Sequence, residues 1–305
     1  MFRYTPRLQN TAKPEKPDAL YAMKLQELLG GQYGELTVTM QYLFQGFNCR
    51  MPGKYKDMIM DIATEEIGHV EMIATMVARL LEGAPSEATE AAAATSPVMA
   101  AVLGGMNPQH AIVAGGGAMP ANSQGVPWQA GYIVASGNLL ADFRSNASAE
   151  AQGRLQTSRL YGMTDDPGVR SMLAFNLARD TFHQQQWLLG IQNLIDDGLS
   201  DVVEDSHHDV EDKTHDHTFW SFSTEPSRAA EGRWASGPTL VGDQQIEFLP
   251  EPLALTDDDG LLPPPDPKLF ATYDGDQGPG APGTAAGTRA KEAKTVAGKI
   301  KDALT

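Results

Sequence analysis

Apolar residues recur at helical spacing along four stretches of the chain. The first pattern starts at Asp18, a residue suited to the N-cap, and reaches about Phe47 with a kink or break at Gly30 and Gly31. Glu35, Val38, Tyr42 and Gln45 fall on one face of its second half. Pro52 and Gly53 make a turn, and a long helix is predicted from about Lys54 to Glu82, stopped by Gly83 and Pro85. Its inward stripe is Ile62, Glu66, His69, Ile73 and Met76. A long connection follows over residues 83–127. Its first part, APSEATEAAAATSP, has room for a short helix; its second, GGMNPQHAIVAGGGAMPANSQGVPW, holds too much glycine and proline to be regular. A third helix is expected to begin near Pro127, since proline suits the first helical position, and to reach about Gly162. Leu139, Phe143, Ala147, Glu150, Thr157 and Leu160 line one side of it. Asp166 and Pro167 open a fourth helix that ends near Asp197 and Gly198, with Asn176, Asp180, His183, Trp187 and Leu194 on one face.

Two helix hairpins joined by one long crossover predict an all-α, ferritin-like four-helix bundle over residues 18–199. Residues 1–17 are polar, carry Pro6, Pro14 and Pro17, and read as an extended arm. Residues 200–305 read as an extended, mostly irregular C-terminal segment. Its first stretch, 200–217, is acidic and holds His207, His208, His215 and His217 in what reads as a mobile loop. Val296, Ile300 and Leu304 near the end fit a short surface helix docked on a neighbouring subunit.

Charge narrows the partners. A net charge of −16 argues against nucleic acid and against anionic membrane surfaces. No apolar run approaches the ~20 residues of a membrane-spanning helix, and the N-terminus has no secretory pattern. Cys49 is the single cysteine, which excludes an intramolecular disulfide and fits a reducing cytoplasm. It reads as a packed residue without a catalytic role.

The inward polar residues carry the chemistry. Within IATEEIGHVEM (62–72), Glu66 and His69 are three apart and leave one helix face a turn apart. Glu35, Glu150 and His183 occupy the inward faces of the other helices. A lone buried Glu or His is satisfied by exposure or a hydrogen bond. Three carboxylates and two imidazoles in one core leave excess negative charge that two divalent cations would neutralise. Such ligands suit manganese or iron, and the lack of thiolates argues against a soft metal. Asp180 stands where a second Glu-x-x-His would place its glutamate. Being one methylene shorter, it is expected to miss the metal and hold a ligand by hydrogen bond. Tyr42 is either a further partner of this kind or a packed core tyrosine. Glu65, in line with Asp57 and Asp61, reads as a solvated acidic face, with a hard-cation site as the alternative. His110 belongs to the crossover.

With these residues in place the chain closely resembles the manganese catalases, a non-haem family that disproportionates hydrogen peroxide. The likeness is carried by LQELLGGQYGE, IATEEIGHVEM, GGMNPQHAIVAGGGAMP, SGNLLADFRSNASAEAQGR and RWASGP, in one order. The resemblance implies two manganese ions per subunit, with Glu66 bridging, Glu35 and His69 on one ion and Glu150 and His183 on the other. It implies catalytic or supporting roles for Glu35, Glu150, Tyr42 and Asp180. Ala149 stands where some members carry an arginine, so no arginine role carries over. Some members bind a structural calcium, which would fall at Asp57 and Asp61 with Ser221, Ser223 and Glu225 completing it. The family assembles as hexamers whose C-terminal tails wrap neighbours. The expected function is therefore peroxide disproportionation in the cytoplasm. The rivals are a di-iron oxidase, a ferritin-type metal-storage protein, and a helical assembly protein whose carboxylates pair with Arg154 and Arg179.

Overall fold

In a computed structural model of the chain, residues 4–83, 108–199, 210–223, 228–240 and 244–250 are described. The short helix expected within 84–97, the one near the C-terminus, His207, His208 and Glu225 lie outside them. The chain divides into two compact units, Met1–Val210 and Glu211–Thr305.

The first unit is built of helices. Asp18 caps α1 (Ala19–Gly30), its carboxylate accepting from the Tyr21 N–H at 2.9 Å. Of the kink or break expected at the glycines, the structure has the break. A Cβ at Gly31 would collide with the Glu27 carbonyl, and one at Gly34 with that of Leu28. The chain therefore restarts as α2 (Glu35–Asn48). After Pro52, α3 runs from Gly53 to Leu81, and Gly83 at φ 71° turns the chain out of it. Among the described residues of the crossover, Pro108–Ile112 form a helical turn, α4, where no regular structure was expected.

The next helix, α5, spans Leu139–Tyr161 and not the expected start near Pro127. Asn138 supplies the cap, accepting from the Ala141 N–H at 3.0 Å, behind Gly137 at φ 82°. The preceding N–H groups have fixed partners elsewhere. Trp128 donates to the Pro120 carbonyl at 2.8 Å and Val134 to Gln41 Oε1 at 2.8 Å. A proline suits a first turn but does not create one when the following donors are already taken. The last helix, α6 (Pro167–Asp196), begins as the sequence indicates, with the Asp166 carboxylate accepting from Gly168 and Val169.

α2 runs along α3 and α5 along α6, which gives the two hairpins of a ferritin-like bundle. Among the described residues the core has two apolar clusters. One gathers Leu25, Leu28, Met72, Ile73, Met76, Met172 and Leu173; the other gathers Tyr42, Ile59, Ile62, Phe143, Trp187 and Leu194. Glu66 and His69 fall between them along α3, and Asn176, Asp180 and His183 do so along α6. A buried polar layer is thus enclosed by apolar side chains on both sides. The arm before α1 is pinned to this unit: Gln9 donates to the Glu65 carbonyl at 2.9 Å, and Arg79 donates to the Ala12 carbonyl at 2.8 Å.

In the second unit, β1 (Thr218–Trp220), β2 (Gly237–Pro238) and β3 (Gln245–Leu249) form a small sheet. Its order is β1-β3-β2, with β1 parallel and β2 antiparallel to β3. No described helix is long and apolar enough to cross a membrane.

Candidate metal centre

Four helices each contribute to one pocket. Glu35 opens α2, Glu66 and His69 stand a turn apart on α3, Glu150 lies on α5 and His183 on α6, and all five are buried. Their ligand atoms form two groups, Glu35–Glu66–His69 and Glu66–Glu150–His183, each with its atoms within 4.8 Å of one another. Glu66 belongs to both. Its two oxygens divide between the imidazoles: His69 Nδ1 is 2.7 Å from Oε2 and His183 Nδ1 is 2.7 Å from Oε1. Glu35 Oε2 stands 3.4 Å from His69 Nδ1, and Glu150 Oε1 stands 4.0 Å from His183 Nδ1.

These contacts are not hydrogen bonds. Both oxygens of Glu66 and both ring nitrogens of each histidine are buried without an aligned partner. Buried polar atoms are normally satisfied, so lone pairs that converge without an aligned proton fit a cation between them. The donor set of carboxylates and imidazoles suits manganese or iron.

The surrounding residues hold the candidate ligands. The Tyr42 hydroxyl donates to Glu150 Oε1 at 2.6 Å, so the tyrosine both orients this candidate ligand and packs its ring against Trp187. Asp180 belongs to neither ligand group, and its Oδ1 stands 3.9 Å from His69 Nδ1. It reaches Glu35 only through Asn176, whose amide donates to Glu35 Oε1 at 2.9 Å and to Asp180 Oδ2 at 2.8 Å. Gln45 and Gln41 donate to Asn146 Oδ1, tying α2 to α5 one turn before Glu150.

Among the protein groups alone, burial and then the Glu66 charge push Glu35 up and raise Glu150 to about 8. Burial would raise Glu66 too, but the two histidines outweigh it and hold that carboxyl well below its usual range. Burial would lower the imidazoles. Neighbouring carboxylates reverse this, raising His183 to about 10 and His69 well above its ordinary value.

Residues 1–300 match the family described as manganese containing catalase. The chain belongs to the manganese catalases. It is accordingly an enzyme, a catalase with hydrogen peroxide as substrate and manganese as its metal. A Bacillus subtilis manganese catalase is 66% identical over 194 residues, covering 64% of this chain and 71% of its own. The uncharacterised Bacillus subtilis protein YjqC is 52% identical over 266 residues, 87% of this chain and 95% of its own. The crystal structure of KatB, a manganese catalase from Anabaena, is similar in fold at a TM-score of 0.62 and 24% identity, covering 83% of this chain and all of that one.

In this manganese catalase the remaining candidates belong to neither ligand group among the described residues. Asp57 and Asp61 are exposed on α3 and join no ligand group among the described residues. Ser221 and Ser223 belong to the second unit. His110 is buried, its Nδ1 2.9 Å from the Gly117 carbonyl oxygen. Cys49 is a free thiol, partly buried. The residue that pattern reasoning misplaced is Glu65. It is no solvated acid: its carboxylate faces His69 and His183 on one side and pairs with Arg179 on the other. The Glu-x-x-x-His spacing from Glu65 to His69 was the available signal, and the nearer Glu66 masked it.

Proposed function

We propose that two manganese ions are held in this pocket, one by Glu35 and His69, the other by Glu150 and His183, with Glu66 between them. The observation that carries the reading is the sharing of Glu66 by two ligand groups with its oxygens unpartnered. Bound there, the metal pair supplies a two-electron couple between the divalent and trivalent states, so that two peroxides give two waters and one dioxygen. The protein's part is to hold, shield and move protons. The apolar clusters on either side exclude bulk water. Tyr42, held well above its ordinary pKa by burial and then by Glu150, stays a neutral donor and fixes the Glu150 carboxylate. Glu35 and Glu150, each a carboxylate of one ligand group only, are the proton-shuttle candidates. Asp180 acts through Asn176 as a positioning residue for Glu35.

The reading extends to assembly and place. Exposed Leu155, Phe182 and Leu189 on α5 and α6 suit contacts with further copies, a hexamer by family resemblance, with residues 200–305 wrapped around neighbours. Calcium at Asp57 and Asp61, completed by Ser221, Ser223 and Glu225, belongs to the same reading. The single cysteine and acidic charge suit the cytoplasm.

Oxygen evolution from peroxide should track manganese content, approaching zero in chelated protein and returning with manganese but not iron. Turnover independent of manganese would refute the assignment. Loading should also depend on pH. The ligand histidines and Glu150 carry protons near neutrality, with His183 near 10 and Glu150 near 8, and must lose them to bind metal. Manganese affinity should therefore rise with pH between about 6 and 8, and loading should release protons. Calorimetry in buffers of different ionisation enthalpy measures this; no proton release contradicts the ligand set.

A further inference from the structure

Two consecutive carboxylates on α3 grip the same two imidazoles from opposite sides. Glu66 meets their Nδ1 atoms within the pocket. Glu65 lies about 100° round the helix and meets their Nε2 atoms. Its Oε2 is 3.2 Å from His183 Nε2, and its Oε1 is 3.7 Å from His69 Nε2. The rings are stacked, with centroids 5.7 Å apart and planes at 24°, so a single carboxylate spans both. Neither Nε2 makes an aligned hydrogen bond, and Glu65 is the carboxylate that stands against both.

Arg179 on α6 fixes that carboxylate. Its Nε is 2.5 Å from Oε1 and its Nη2 is 3.0 Å from Oε2, a two-pronged grip that sets the plane of the Glu65 carboxylate. Each Glu65 oxygen therefore faces one arginine nitrogen and one histidine. A metal-bound histidine presents one nitrogen to the metal and needs an acceptor for the proton on the other. We propose that Glu65 is the shared positioning residue of both ligand histidines, one oxygen for each, and that Arg179 holds it in the plane this requires. The proposal rests on the two-ion reading above. Its consequence is that the two metal positions are coupled through an outer carboxylate as well as through Glu66.

An amide at residue 65 offers one oxygen and one NH2 group, so it can serve one histidine only. Titration of metal-free protein with Mn2+, followed by the electron paramagnetic resonance of the free ion, tests this. Wild-type protein should bind two ions per chain. In Glu65→Gln the gap between the first and second dissociation constants should widen by roughly 10- to 100-fold. Arg179→Lys keeps the charge but loses the fork, and should weaken both ions together by a smaller factor; it carries the test if Glu65→Gln does not fold. A role confined to stability would lower the melting temperature of the metal-free variants and leave both constants alone. Two ions bound with wild-type constants in the folded variants overturn the proposal. Fewer than two ions in wild-type protein would instead overturn the two-ion reading beneath it.

Discussion

Glu66→Gln should leave a folded protein with no metal pair and with oxygen evolution lowered by at least about 10³-fold, the equivalent of roughly 4 kcal/mol of lost stabilisation. Glu66 is the one side chain common to both ligand groups, and its oxygens face one imidazole each. An amide keeps the shape but cannot bridge two cations through two anionic oxygens. It also leaves Glu35 and Glu150 without the charge that raises both of them, so their carboxyls should titrate nearer the ordinary range. Elemental analysis beside the peroxide assay distinguishes loss of metal from loss of chemistry. Full manganese content with full turnover in this variant would remove Glu66 from the centre.

Trp187→Ala should cost about 3–5 kcal/mol of stability, the range for truncating a buried aromatic. The indole is fully buried, its ring centroid 4.8 Å from that of Tyr42 and 5.4 Å from that of Phe143. For a unit of some 200 residues that is a fall of roughly 6–20 °C in melting temperature. The comparison has to be made on metal-free protein, since bound metal adds its own stabilisation. Function should suffer as well, because Tyr42 loses the wall that keeps its hydroxyl on Glu150. Trp187→Phe keeps an aromatic ring there and should lose less than half as much. A melting curve unmoved by the alanine would show that the cluster collapses without cost.

The bundle and the gathering of five inward side chains in one pocket were legible because both rest on one periodicity. Side chains three or four apart share a helix face, so Glu66 and His69 had to point together, and the apolar residues around them marked that face as inward. Glu65 shows where this reasoning stops. A helical wheel places it beside Asp57 and Asp61, yet it does not say that α6 crosses there and brings Arg179 and His183 onto that flank. The start of α5 was misread for a related reason. Pro127 satisfies a local preference, but the backbone donors after it are taken by the Pro120 carbonyl and by Gln41, and the true cap is Asn138. The strands of the second unit are two to five residues long, too short for alternation to announce them.

The central claim is a placement: two manganese ions, one on either side of the Glu66 carboxylate. Anomalous X-ray diffraction at the manganese edge, from crystals of the loaded protein, tests it most directly. The account predicts two peaks per chain, one against Glu35 and His69 and one against Glu150 and His183. An absence of density at Glu66, or a single ion bound elsewhere in the chain, would contradict it.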